Sequence, residues 1–129
     1  MDCPVCKEAM VVLELDEVEI DHCLECGGIW LDQGELELLL ESSEEKDKLL
    51  ASFKEDKESG EELLKCPICL KKMKKILSNG EKKILIDSCK NNDGLWFDKG
   101  ELYQMIESVS LDKNNRILNL LREIFREHK

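Results

Sequence analysis

The feature that most constrains this chain is the spacing of its cysteines, which stand at positions 3, 6, 23, 26, 66, 69 and 89. Two Cys-x2-Cys pairs separated by sixteen residues open the chain, and this spacing is typical of a zinc site built from two knuckles. An odd number of cysteines argues against a complete disulfide framework. We therefore predict one closed structural zinc site, because zinc prefers four tetrahedral ligands. Its ligands are Cys3, Cys6, Cys23 and Cys26.

An internal repeat follows from the same cysteines. Residues 3–40 contain CPVCKEAM, VEIDHC and GGIWLDQGELELLL, and residues 66–106 contain CPICLKKM, ILIDSC and DGLWFDKGELYQMI in the same order. The gap between knuckles grows from sixteen to nineteen residues in the second copy. The turn signal Ser78-Asn79-Gly80 absorbs the extra residues in a hairpin loop. The sequence thus predicts a duplicated module.

Each copy predicts the same local structure. A CPxC turn leads into a hairpin, with strands at 10–15 and 18–22 in the first copy and at 73–78 and 83–88 in the second. An acidic residue followed three positions later by glutamate is typical of a helix start. We therefore interpret Asp32 with Glu35, and Asp98 with Glu101, as helix caps and not as catalytic carboxylates. Trp30 and Trp96, between knuckle and cap, are expected to shield the metal and bridge ribbon to helix.

Taken together, these motifs resemble the transcription-factor-IIB-like zinc-ribbon family, whose pattern runs CPxC, a hairpin and D-x-C-x2-C-G-G-x-W-L-D-x-G-E-L. The first copy matches at Cys3, Cys6, Cys23, Cys26, Gly27, Gly28, Trp30, Asp32, Gly34 and Glu35. The second matches at Cys66, Cys69, Cys89, Gly94, Trp96, Asp98, Gly100 and Glu101, and departs at Asn92 and Asp93. The resemblance implies a zinc-ribbon fold with structural zinc and leaves the biochemical role undefined.

The fourth ligand of the second site is the open question. Cys66, Cys69 and Cys89 are present, but Asn92 stands where the first copy has Cys26. The metal is absent, or an oxygen from Asn92, Asp93, a water or a distant residue replaces the sulfur, or the open position is catalytic. We favour three cysteines with a weaker fourth ligand. Asn92→Cys is then expected to close the site.

Catalysis is the least favoured of these readings. It needs a general base, for which Asp87 and Asp93 are candidates by sequence distance only, and the sequence contains no catalytic motif. We therefore predict no enzymatic activity. His22 and His128 are interpreted as surface residues.

We expect a small, metal-bound α+β fold of two tandem zinc ribbons, each a β-hairpin with two knuckles followed by a helix. The first ribbon with its helix occupies 1–41, a helical connector 42–62, and the second, degenerate ribbon with its helix 63–110. An amphipathic C-terminal helix occupies 111–129. Ser42 and Glu45 cap the connector helix, and Gly60 ends it.

Two apolar stripes at helical spacing accompany these segments. Leu49, Leu50 and Phe53 form the stripe of the connector. Ile117, Leu120, Leu121, Ile124 and Phe125 form that of the C-terminal helix. The second stripe packs inside the chain or docks on a protein partner or a second copy of the chain.

Charge bears on the choice of partner. The net charge is −10, and the first 60 residues hold 5 lysine or arginine against 18 acidic residues, whereas residues 61–129 hold 14 against 11. An acidic protein does not attract phosphate backbones at long range, so strong nucleic-acid binding is not expected. The seven lysines at 65–83 are interpreted as a solvated face.

These observations favour a zinc-binding structural module that serves as a protein-binding scaffold. The alternatives are a nucleic-acid-associated zinc ribbon, and a metal-dependent enzyme or thiol sensor at the incomplete site. No apolar run approaches the roughly 18 residues of a membrane span, so no membrane association is expected. No secretory signal is recognisable either, which predicts the cytoplasm, where paired cysteines more often bind metal than form disulfides.

Overall fold

Two three-stranded ribbons meet edge to edge in one antiparallel sheet. The computed structural model describes residues 1–40, 44–57, 62–79, 83–109 and 116–127. The strands are β1 Val11–Leu15, β2 Val18–His22, β3 Ile29–Asp32, β4 Lys54–Glu55, β5 Lys74–Asn79, β6 Lys83–Ser88 and β7 Gly94–Phe97. The helices are α1 Glu35–Leu39, α2 Glu44–Ala51, α3 Glu101–Val109 and α4 Arg116–Glu127. The sheet order is β1-β2-β3-β7-β6-β5-β4.

The joint between the ribbons is the β3–β7 pair. Trp30 pairs with Trp96 at its centre, with Ile29 opposite Phe97 on one side and Leu31 opposite Leu95 on the other. The same strand of each copy therefore faces its counterpart in antiparallel register. The two copies are related as the subunits of a two-fold dimer would be, but within one chain.

The two faces of the sheet carry different cores. Side chains alternate along a strand, so Ile29 and Leu31 enter the core beneath the helices while Trp30 joins the other face. The helix face also buries Phe97, Leu102 and Leu121. The opposite face carries a cluster of cysteines, methionines and tryptophans from both copies. Its buried members are Cys3, Met10, Cys23, Trp30, Cys66, Met73, Cys89 and Trp96.

The start of α1 differs from the predicted cap. Gly34 occupies the N-cap position, and Asp32 lies two residues before it. The Asp32 carboxylate instead accepts a hydrogen bond from the Trp30 indole (2.9 Å), while the backbone N–H of Asp32 donates to Glu35 (2.6 Å). The second copy repeats the two hydrogen bonds, from Trp96 to Asp98 and from Asp98 to Glu101. Only the glutamate half of the predicted capping interaction is therefore present.

The connector and the last helix pack on the helix face. Leu49 of α2 is buried, with Leu50 and Phe53 packed against the same core. In α4 the buried side chains include Ile117 and Leu121, as predicted, and also Leu118, which the predicted stripe omits.

The stripe of α4 is wider than predicted because this helix touches two elements, α3 and the edge strand β1. Ser42, Gly60, Gly80 and His128, and the predicted segment boundaries at 41/42 and 110/111, lie outside the described residues. None of the helices within the described ranges is long and apolar enough to cross a membrane.

Candidate metal centres

The first centre brings four sulfurs together. The Sγ atoms of Cys3, Cys6, Cys23 and Cys26 all lie within 4.8 Å of one another. The Sγ atoms of Cys3 and Cys26 are 3.7 Å apart, and a tetrahedral ion with Zn–S bonds near 2.3 Å would separate its sulfurs by about 3.8 Å. No cysteine of the chain is in a disulfide. The four thiols therefore have the number, type and spacing of a closed zinc site.

The second centre brings together three sulfurs and a carboxylate. Cys66, Cys69, Cys89 and Asp93 each offer one atom to a group spanning no more than 4.8 Å. The Sγ atoms of Cys69 and Cys89 are 3.6 Å apart. Asp93 Oδ2 lies 3.3 Å from the Sγ of Cys89 and 3.7 Å from that of Cys66. Asn92, the position that corresponds to Cys26, is exposed.

The knuckle turns aim backbone N–H groups at the sulfurs. Val5 and Cys6 each donate to the Sγ of Cys3 at 3.3 Å, and Ile68 donates to that of Cys66 at 3.4 Å. A turn closes each first knuckle, through the N–H of Lys7 to the carbonyl of Cys3 and the N–H of Leu70 to that of Cys66. Such donors stabilise a thiolate and fix its direction before any ion binds.

The second knuckles differ in their turn. In the first copy Gly27 has a φ of 79° and its N–H donates to the carbonyl of Cys23, four residues earlier. In the second copy the left-handed residue is Asn92, with a φ of 60°, and its N–H donates to Cys89, three residues earlier. A second hydrogen bond spans the whole knuckle in both copies: the N–H of Cys23 donates to the carbonyl of Gly28, and the N–H of Cys89 donates to that of Gly94. The inner turn of the second copy is therefore one residue shorter than that of the first, although the two loops have equal length.

Burial and backbone N–H groups shift the pKa values of the clustered thiols in opposite directions. It raises the pKa of the Cys66 thiol to about 12 and raises that of Cys26 as well. The pKa of Cys69 is lowered, chiefly by the backbone N–H of Lys71. Since only thiolates bind metal, ion binding must expel protons from these clusters, and metal affinity should fall as the pH falls.

Comparison with known families identifies the family of the chain. The transcription factor zinc-finger family, of the TFIIB zinc-ribbon type, matches residues 2–42 and 65–108, about two thirds of the chain. The chain belongs to the transcription factor zinc-finger family. Two matched regions are consistent with two tandem copies of its zinc ribbon. No curated protein and no solved structure matches the chain. Both cysteine clusters fit zinc binding in a zinc ribbon.

The two zinc ribbons interlock through a tryptophan and a glycine. A Cβ atom built on Gly28 would lie 2.2 Å from Cζ2 of Trp96, and one built on Gly94 would lie 2.6 Å from Cζ2 of Trp30. Each fully buried indole therefore packs closely against the glycine of the other ribbon. The tryptophans shield the cysteine clusters as expected. They join ribbon to ribbon, however, and not ribbon to helix.

The structure corrects two further expectations of the sequence analysis, the surface position of His22 and the solvation of the whole lysine face. His22 is buried, not at the surface, and its Nδ1 donates to the carbonyl of Gly28 at 3.2 Å. Asp87, named above as a candidate base by sequence distance only, is buried and forms an ion pair with Lys75. Lys75 is buried too, opposite Asp87 in the β5–β6 pair, and it leaves the lysine face that the sequence suggested.

Proposed function

We propose that the protein is a zinc-stabilised scaffold that binds a protein partner through the tips of its knuckles. The observation that carries this proposal is the exposure of apolar side chains on the turns that hold the cysteines. Val5 is 46% exposed, Leu24 53% and Ile68 47%. Leu70, next to Cys69, is exposed as well. Exposed apolar side chains are typical of protein-binding sites where they form a continuous patch, and all four of these lie on the turns that carry the cysteines.

Zinc acts here on the fold, not on a substrate. Two cysteines of each copy, Cys3 with Cys23 and Cys66 with Cys89, are buried in one cluster with the tryptophans and methionines. Binding free energy at such sites, on the order of 10–16 kcal/mol, is also folding free energy. Zinc binding would therefore hold the knuckle turns rigid. A rigid turn loses less conformational entropy when its apolar tip is buried by a partner.

The test compares the proteins retained by three immobilised chains. The knuckle variant is Val5→Ser with Ile68→Ser. The matched control is Val12→Ser with Leu38→Ser, which removes two exposed apolar side chains from β1 and α1. We expect a partner that the wild type and the control retain and the knuckle variant loses. Equal retention by all three chains, or no retained protein on the wild type, would contradict the proposal.

A further inference from the structure

We propose that the second centre is a three-thiolate, one-carboxylate zinc site in which Asp93 supplies the fourth ligand. The ligand is thus displaced by one position from the cysteine of the first ribbon. This inference rests on the zinc binding proposed above and adds the identity of the ligand set. It separates the roles of two neighbouring residues, Asn92 and Asp93.

The second ribbon has Asn92 in place of Cys26 and Asp93 in place of Gly27, and these two differences compensate for each other in the turn. In the first ribbon Cys26 is the ligand and Gly27, at positive φ, reverses the chain after it. In the second ribbon the positive φ falls on Asn92, and asparagine is among the residues that tolerate this conformation best after glycine. The next residue, Asp93, has no positive φ. Its side chain is partly buried and points at the sulfurs, whereas that of Asn92 is exposed.

The distances to Asp93 are those of a ligand. With a Zn–O bond of 2.0–2.2 Å and a Zn–S bond near 2.3 Å, a tetrahedral ion would separate oxygen from sulfur by about 3.6 Å. Asp93 Oδ2 lies 3.3 Å and 3.7 Å from the Sγ atoms of Cys89 and Cys66. The carboxylate therefore sits where a fourth donor has to sit, before any rearrangement of the chain.

The backbone of Asp93 is anchored from the other ribbon. The N–H of Gln33 donates to the carbonyl of Asp93 at 3.1 Å, and Asp32 pairs with Gly94 in the β3–β7 joint. Within its own loop, the N–H of Cys89 donates to the carbonyl of Gly94, also at 3.1 Å. These contacts fix the direction of the side chain, as preorganised ligand sites require. The fourth ligand is positioned by the pairing of the two ribbons.

A carboxylate changes the properties of the ion it holds. Oxygen is a harder donor than sulfur and a poorer partner for zinc beside three thiolates. The second ion should therefore exchange faster than the first. The two ribbons would hold the same metal with different lability, in one sheet and on one face.

The experiment counts zinc per intact chain by native mass spectrometry and follows its release to a chromogenic chelator. The wild type should carry two ions and release one quickly and one slowly. Asp93→Ala should lose the second ion or release it at least about tenfold faster, the lower end of the effect of losing even an outer-shell partner. Asn92→Gly is the matched control, because it removes the amide but keeps a residue suited to positive φ. Its release should match the wild type.

Two further variants test the displacement itself. Asn92→Cys alone should not slow release, contrary to the expectation from the sequence, because residue 92 occupies the turn and faces solvent. Asn92→Cys combined with Asp93→Gly reproduces the Cys26-Gly27 pair and should make both ions slow to leave. In cadmium-loaded protein, the NMR resonance of the second site should move to the shift of the first in this double variant.

Several outcomes overturn the inference. A wild type that carries one zinc ion, held by the first site, would contradict it. So would zinc release from Asp93→Ala at the wild-type rate, or from Asn92→Gly as fast as from Asp93→Ala. Slow release of both ions from Asn92→Cys alone would contradict it as well. A chain that binds no zinc at either centre would instead remove the zinc binding on which the inference rests. The two failures are therefore distinguishable.

Discussion

At the scale of single residues, the fit between ribbons depends on the absence of one side chain. Gly28 has no positive φ, so its backbone would accept any residue, but a Cβ atom there would meet the buried ring of Trp96 at 2.2 Å. The nearby Gly34 presents the opposite case, because a Cβ atom built there would meet no atom within 4 Å, but its φ is 90°. Steric fit therefore favours glycine at position 28, and backbone conformation favours glycine at position 34.

We predict that Gly28→Ala destabilises the fold by about 3 kcal/mol, the upper end of ordinary overpacking, because the indole has nowhere to move. Gly34→Ala, the control, should cost only about 1–2 kcal/mol, the penalty for a left-handed non-glycine residue. Chemical denaturation of the zinc-loaded protein measures both. Adding Trp96→Phe to Gly28→Ala should recover part of the loss. Equal costs for the two alanines, or no recovery, would contradict the interlock.

The sequence predicts the residues of the sites better than their surroundings. Cysteine spacing and strand alternation are local signals, and they gave both cysteine sets and the hairpins within a residue or two. His22 and Lys75 are buried beside partners from other segments, the carbonyl of Gly28 for His22 and Asp87 on β6 for Lys75. The exchange of roles between Asn92 and Asp93 depends on a turn type. No periodicity encodes such contacts, although an Asn-Asp pair in place of Cys-Gly was a usable signal.

At the scale of elements, the β3–β7 pair holds the molecule together. It lies at the centre of the sheet and joins strands about 65 residues apart in sequence, and long-range pairing of this kind has no local signature. Without β7, strand β3 would expose an unpaired edge and Trp30 would lose the glycine it covers. An exposed edge of this kind is a template for another chain.

We predict that the zinc-loaded fragment 1–41 forms a homodimer. Gly28 of one copy can replace Gly94 beneath the Trp30 of the other, and Leu31 can replace Phe97 opposite Ile29 in the same register. Light scattering should give twice the fragment mass. Leu31→Lys, which places a charge beside the joint, should give the monomer mass and a red-shifted tryptophan emission. A monomeric wild-type fragment with a fully buried tryptophan would contradict the role assigned to this pair.

At the scale of the whole molecule, charge argues against a phosphate backbone as the partner. The acidic excess of the first 60 residues shares one sheet with the lysine-rich ribbon. The lysine face is also smaller than its sequence suggests, because Lys75 is buried against Asp87. Lys65, Lys71 and Lys72 remain exposed.

We therefore predict weak binding of duplex and single-stranded oligonucleotides at roughly 150 mM salt, where long-range attraction is screened. Fluorescence anisotropy titration measures it. Lys71→Ala with Lys72→Ala should change the signal little, and Lys83→Ala, on β6, provides a control for loss of charge alone. Submicromolar binding that is lost in the Lys71→Ala, Lys72→Ala variant and retained in Lys83→Ala would instead favour a nucleic-acid-associated ribbon.

One sheet carries two candidate zinc centres on the same face, and we infer that four cysteines close the first. Zinc content of the pure chain, with and without Cys26→Ser, tests it most directly. Losing one thiolate leaves the first centre open and weak. The wild type should carry two ions, and the variant should lose the first ion and show a lower melting temperature. A wild type without zinc, or a variant with unchanged zinc content and melting temperature, would contradict a structural zinc site made by Cys3, Cys6, Cys23 and Cys26.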